Sequence, residues 1–321
     1  MNYLVTHICH YTVDHPLPCH SVTLTAPFNR DAQKKINPCL RLQSNNYERM
    51  NLDFDHELYN QSHVPSDVVI RFLAETLPCL GWGKKCKEVV VDVGCGDGDI
   101  TTDLILPLFP RLEKMVAFDV LPKMIDVASK MNSHPRIEYA VADIEDWSSV
   151  QQWKEQITNL LSVHCFHWLR DQRKAFRNSY RLLKSSGEGA FIFFLEASFF
   201  TACLEIQKSL KWCHFFNELD SYIPDSHHKK HNVFFYRKML EDVGFEIIYC
   251  KERRIKDVLP SDEVYINFFT SVCVLIAHVP VDKKEEFRTD LFQEILKQNG
   301  RDSNGLPFHR GTIIELVVKK N

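Results

Sequence analysis

The residues best suited to chemistry lie in Asp92-Val93-Gly94-Cys95-Gly96-Asp97-Gly98, directly after the apolar run Val89-Val90-Val91. An apolar run bounded by glycine reads as a buried parallel strand, and a glycine turn at its carboxyl end is where doubly wound sheets bind ligands. Glycine admits a ligand where a Cβ would collide, so Gly94 and Gly96 are the principal expected contacts. The charge of the loop narrows the choice. Asp92, Asp97 and Asp99 would repel a pyrophosphate, and Asp99 stands where a dinucleotide fingerprint places its third glycine. The loop is suited to a ligand that carries positive charge.

Further carboxylates follow at the ends of successive strands. Asp119 ends the run Met115 to Phe118, 21 residues after Gly98, where an acidic side chain accepts both ribose hydroxyls of an adenosine. Val120 lies beside it, and Met124 is placed to pack on an adenine face. Asp143 and Ile144, after the third strand, offer an acceptor for the adenine amino group and an apolar wall for its ring. An adenosine that also bears a sulfonium and an ammonium is S-adenosylmethionine (SAM), which is the expected cofactor. The loop by itself is shared with nicotinamide and flavin enzymes, and its acidity separates them.

With these residues in order, the chain resembles the class I SAM-dependent methyltransferases over most of residues 54–321. Leu161 to Leu169 (Leu-Ser-Val-His-Cys-Phe-His-Trp-Leu), then Asp171-Gln172-Arg173, together with Glu57-Leu58-Tyr59, is similar to the arthropod juvenile hormone acid methyltransferase family. The resemblance implies transfer of a methyl group to the carboxylate of a small apolar acid, such as farnesoic acid or juvenile hormone acid. It places Trp168 at that carboxylate, with its indole N–H as donor; His167, next to it in the chain, is a candidate pocket residue without an assigned proton-transfer role. His164 is read as structural. The family's amino-terminal glutamine falls on Ser66 in an ungapped alignment, with Gln61 able to replace it only if the register slips. Two alternatives stay open: methyl transfer to another small carboxylate or an amine, or a silent protein that binds SAM or a lipid-like acid. A carboxylate with a pKa of about 4.3 is already ionised at neutral pH, so positioning suffices and no catalytic acid or base is assigned.

These residues require a particular scaffold. A helix is expected before the loop, with Val69, Leu73 and Leu77 on one face and Pro78 and Gly81 at its end. Strands over Val89–Val91, Met115–Phe118, Ile137–Val141, Ile157–Phe166, Ala190–Leu195, Phe245–Tyr249 and Thr312–Val318 alternate with helical segments. One of these carries Met124, Val127 or Ala128, and Met131. That alternation gives an α/β fold, a doubly wound, seven-stranded, mostly parallel sheet whose last two strands form its far edge. Helical insertions near 199–230 and 261–300 are extra to such a sheet and could roof an acceptor pocket. Their aromatic residues Phe199, Phe200, Phe215, Phe216, Phe268 and Phe269 are candidates to hold an apolar tail. Asp282 and Glu285 have capping-box spacing before the last insertion helix, which should stop at Gly300.

Composition bounds the rest. A net charge of −3 with mixed signs gives no footprint for nucleic acid. Eleven irregularly spaced cysteines and no apolar amino-terminal signal suggest reduced thiols and a cytoplasmic protein. Ile266 to Val279, the most apolar window, falls short of the roughly 20 residues of a membrane span. Residues 1–50 read as a poorly ordered leader ahead of a domain over 51–321. The leader's Cys9-His10 and Cys19-His20 match no familiar zinc spacing, and no metal is expected.

Overall fold

The structure is a computed structural model that describes Leu58, Tyr59 and residues 66–216 and 223–321. The leader and Gln61 lie outside the described residues. The first described helix, α1, runs over 67–79 with a π turn at its centre, and Val69, Phe72, Leu73 and Leu77 face inward. Pro78 is tolerated in its short last turn and Gly81 follows at φ +96°, close to the expected end.

Seven strands follow: β1 (Glu88–Val93), β2 (Leu112–Asp119), β3 (Ile137–Val141), β4 (Ile157–Val163), β5 (Leu183–Ala197), β6 (Phe245–Val258) and β7 (Phe308–Lys320). Their order across the sheet is β3-β2-β1-β4-β5-β7-β6. The first five pair in parallel, and β7 runs antiparallel between β5 and β6. The expected mostly parallel sheet is therefore present, with the reversed strand inserted next to the edge.

Alternation along the strands explains the apolar runs. Val90, Met115, Leu161 and Ile192 face α1 and helix α2 (99–108), whereas Val91, Val116, Leu160 and Phe191 face the opposite layer. Beyond β2 comes α3 (Pro122–Met131), then the single turn α4 (Trp147–Val150) and α5 (Gln172–Leu182). With both faces covered, neither side of the central strands can be polar. Met131, expected on the inner face of α3, is instead 76% exposed, because Met124, Ile125 and Ala128 already fill that face.

The insertions form a second apolar cluster. After α6 (Ser198–Lys208), the single turn α7 (Asp225–His228) and α8 (Val233–Val243) return the chain to the sheet, and Gly244 ends α8 at φ +111°. Helices α9 (Asp262–Ser271) and α10 (Lys284–Asn299) pack with α6 around Trp212, Tyr265, Phe269 and Phe287. Trp212 Nε1 donates to Asp290 at 2.8 Å, so burial leaves its polar edge satisfied. The capping box does not form. Residues Val281–Lys283 make a 3₁₀ turn, so α10 begins at Lys284 without a side-chain cap and Glu285 falls in its first turn.

Strand β6 is longer than its apolar start suggested. Lys251 to Asp257 continue the ladder along β7 on the sheet's edge, where Lys251, Glu252, Arg254 and Lys256 are exposed and protect the open backbone. Glu315, fully buried on β7, draws Arg71 of α1 to 3.3 Å and Arg253 of β6 to 3.2 Å, and accepts from Tyr249 Oη at 2.7 Å. A buried carboxylate needs such partners, and these tie α1 to the antiparallel edge. Among the described residues no helix is long and apolar enough to cross a membrane, and no three metal-ligating side chains cluster.

Candidate active site

Strands β1 and β4 are neighbours but leave the sheet in opposite directions, which opens a crevice at their carboxyl ends. A cavity of about 700 Å³ begins there and continues beneath α6 and α9. The two ends of the cavity differ in chemistry.

At the sheet end, the β1 loop is pinned by Gly94 and Cys95 N–H groups donating to the Phe118 carbonyl at 2.8 and 3.1 Å. The Ser162 hydroxyl donates to the Val93 carbonyl at 2.8 Å, which binds β4 to the same turn. The two expected glycines do different work. At Gly94 (φ +74°) a Cβ would lie 2.4 Å from Cys165 Sγ, so its absence serves close packing of protein on protein. At Gly96 (φ +56°) a Cβ would meet nothing within 4 Å and would project into open space. Both line the cavity, but only Gly96 leaves its face to a ligand.

Carboxylates surround this end. Asp119 at the tip of β2 accepts from Gly96 N–H at 3.1 Å and Leu121 N–H at 2.9 Å, one on each oxygen. The carboxylate keeps acceptor capacity beyond these bonds. Burial raises its pKa, while the N–H groups of Leu121, Gly96 and Val120 pull it back. Asp92, fully enclosed, accepts from Thr101 Oγ1 at 2.6 Å. Burial pushes its carboxyl up to about 7 against that hydrogen bond, and repulsion from Asp119 and Asp99 adds to the rise. Asp97 and Asp99 also face the cavity. Raised carboxylates packed together form a site that gains from a bound cation.

The remaining expected residues of this end meet on one wall. Val120, Met124, Asp143 and Ile144 all line the cavity; Met124 and Ile144 are buried, and Val120 is 40% exposed. Asn178 of α5 donates to the Ile144 carbonyl at 2.7 Å, and Asp143 accepts from Glu145 N–H at 2.8 Å, which fixes the loop after β3.

The other end is aromatic. After β4 the chain makes a 3₁₀ turn, Phe166–Trp168, where the sequence suggested that the strand would continue. Gln172 holds the turn by donating to the Phe166 carbonyl at 2.7 Å, and Tyr236 donates to Gln172 at 2.9 Å. Trp168 and His167 thereby line the cavity with rings 4.8 Å apart, and Trp168 meets Phe200 edge-on at 5.7 Å. Burial, then the neighbouring His164, holds His167 well below the usual imidazole range. Its buried Nδ1 has no hydrogen-bond partner among the described residues. His164, read as structural, also lines the cavity, at φ +54° and stacked 5.0 Å from Phe194. Such a backbone conformation is uncommon outside glycine and concentrates at functional sites.

Ser66 lines the cavity as the N-cap residue of α1, but its buried hydroxyl makes no capping bond and has no partner among the described residues. Of the six insertion aromatics, Phe199, Phe200, Phe268 and Phe269 line the cavity, while Phe215 and Phe216 pack within the helical cluster. Sequence reasoning missed His309 and Phe194, which also line it. His309 lies in Pro307-Phe308-His309-Arg310, which carries no motif, and only the inserted position of β7 brings it to the site.

Comparison with known proteins agrees with this geometry. A family described as a methyltransferase domain matches residues 90–187, from β1 into β5. The chain is 27% identical over 241 residues to a juvenile hormone acid O-methyltransferase of Bombyx mori, covering 73% of this chain and 83% of that one. It is 29% identical over 143 residues to a malonyl-[acyl-carrier protein] O-methyltransferase of Ilyobacter polytropus, covering 44% and 50%. The crystal structure of the YcgJ protein from Bacillus subtilis shares the fold, with a TM-score of 0.50 at 15% identity over 78% of this chain and 97% of that one.

Proposed function

We propose that this chain, a class I methyltransferase, transfers the methyl group of SAM to the carboxylate of a small apolar acid of the sesquiterpenoid type. The observation that carries this reading is a continuous cavity whose one end is lined by carboxylates and whose other end is lined by aromatic rings. The Bombyx mori relative, named for a carboxylic acid acceptor, supports it.

The residues fit the cofactor. Gly96 leaves a cradle that a Cβ would fill, and Asp119 keeps lone pairs for the ribose hydroxyls. Asp143 and Ile144 suit the adenine, with Met124 on its other side, and the carboxylates favour the sulfonium and ammonium charges. When bound, SAM supplies an electrophilic methyl group.

The rest of the work is positioning. An acceptor carboxylate is ionised at neutral pH and needs no base, in keeping with a His167 held neutral by burial. Trp168 donates its indole N–H to that carboxylate, and the Ser66 hydroxyl, unpartnered among the described residues, gives a second donor on the cavity wall. The aromatic walls exclude water, which strengthens these bonds and holds the reacting atoms in line; alignment of this kind is worth up to about 7–11 kcal/mol.

The similarity to a malonyl-[acyl-carrier protein] O-methyltransferase keeps a second carboxylate class in view, and the test separates the two. Labelled methyl transfer is measured for farnesoic acid, juvenile hormone acid, medium-chain fatty acids, short dicarboxylates and amines. Turnover of the long apolar acids is expected. SAM binding without methylation of any acid would overturn the reading.

A further inference from the structure

The acceptor end contains a polar side chain that carboxylate binding does not use. His309, the second residue of β7, is buried and lines the cavity, its ring 4.7 Å from that of Phe269 and 5.9 Å from that of Phe194. Its Nδ1 lies 3.1 Å from the hydroxyl of Ser198, the first residue of α6. A serine hydroxyl has one hydrogen. The Arg310 carbonyl at 3.0 Å and Nδ1 both lie within reach of that hydrogen, while the same oxygen accepts from Arg310 N–H at 3.3 Å. We assign the hydrogen to the carbonyl, the shorter of the two contacts, which puts the ring hydrogen on Nδ1 and leaves Nε2, on the far side of the ring, as a bare lone pair.

Burial, then repulsion from His164, pushes His309 down to about 3, so the ring is neutral at physiological pH and Nε2 remains an acceptor. Among the described residues no donor reaches it. A hydrogen-bond acceptor among phenylalanine rings is costly unless something donates to it.

We propose that the preferred acceptor acids carry a hydroxyl group along the tail, which donates to His309 Nε2. This rests on the reading that the cavity takes an apolar carboxylic acid. An ether or epoxide oxygen has no hydrogen and cannot substitute. The hydroxyl belongs several bonds from the carboxylate. Phe194 stands between His309 and His167, 5.7 Å from the latter, and His167 adjoins Trp168.

The test is calorimetric titration of the full chain, loaded with S-adenosylhomocysteine, with dodecanoic acid and its monohydroxylated isomers. At least one internal isomer should bind about tenfold more tightly than the parent acid, the ratio set by one hydrogen bond of roughly 1.4 kcal/mol. His309→Phe should bring that ratio to one or below, since the hydroxyl loses its partner. Ser198→Ala lets either ring nitrogen carry the hydrogen and should let an internal ether analogue, which gains nothing in the unaltered chain, bind more tightly than the parent acid, which tests the idea independently of how His309→Phe folds. If no isomer is preferred by the unaltered chain, or if the ratio is the same in all three proteins, the inference is overturned. Parallel assays with SAM keep the two claims apart. Methylation of plain and hydroxylated acids at equal efficiency overturns the hydroxyl alone, and absence of binding by every acid overturns the acid-binding reading with it.

Discussion

The sheet end and the aromatic end of the cavity are built by different means. At the sheet end, backbone N–H groups, short carboxylates and a glycine without a Cβ define the site, and each is fixed by strand geometry. At the aromatic end, side chains on α6, α9, β7 and the Phe166–Trp168 turn define it, and they come from separated parts of the chain. The first arrangement tolerates little change, because a backbone contact has no substitute. The second can be re-cut residue by residue, which is how one scaffold serves many acceptors.

The largest expected effect is at the sheet end. Asp119→Ala removes two charge-assisted acceptors and should weaken SAM binding more than about a hundredfold by calorimetry. A folded variant with unaltered affinity would refute the assignment. The glycines come next and separate packing from ligand contact. Gly94→Ala drives a Cβ into Cys165 and should cost about 2–4 kcal/mol in urea unfolding, part of it recovered by adding Cys165→Ala. Gly96→Ala should cost only about 1 kcal/mol of stability, yet impair SAM binding.

At the aromatic end, Trp168→Phe keeps the ring and removes the N–H. We expect kcat/KM for the acid to fall about ten- to thirtyfold with SAM affinity unchanged, and an intact rate would place the carboxylate elsewhere. The smallest effect is in pH. Asp92 holds its proton up to about 7, and a cation beside it favours the ionised form. SAM affinity should therefore decline severalfold from about pH 8 to about pH 6, as this carboxyl protonates. Asp92→Asn should bind more weakly with that slope removed; an unchanged slope would move the titration to another group.

The expectations that held were those written in local pattern. The Val89–Val91 run, the position of Asp119 and the Ile137–Val141 strand follow from period, spacing and the need of a two-sided sheet for apolar strands. Those that failed depended on competition between neighbours. Asp282 lost its capping role to a 3₁₀ turn, Met131 lost its inner place to side chains already there, and β6 outran its apolar run because an edge strand accepts charge.

The sequence by itself determined the α/β class, the succession of strands and helices along the chain and the acidic glycine loop, since each is encoded by neighbouring residues acting through the backbone. Only the tertiary structure decided that Gly94 answers to Cys165, that the Ser66 hydroxyl finds no partner among the described residues, and that His309 lines the aromatic end of the cavity. These depend on which side chains meet across the fold, and the insertion of β7 between β5 and β6 brings His309 to a site whose glycine loop lies more than two hundred residues earlier.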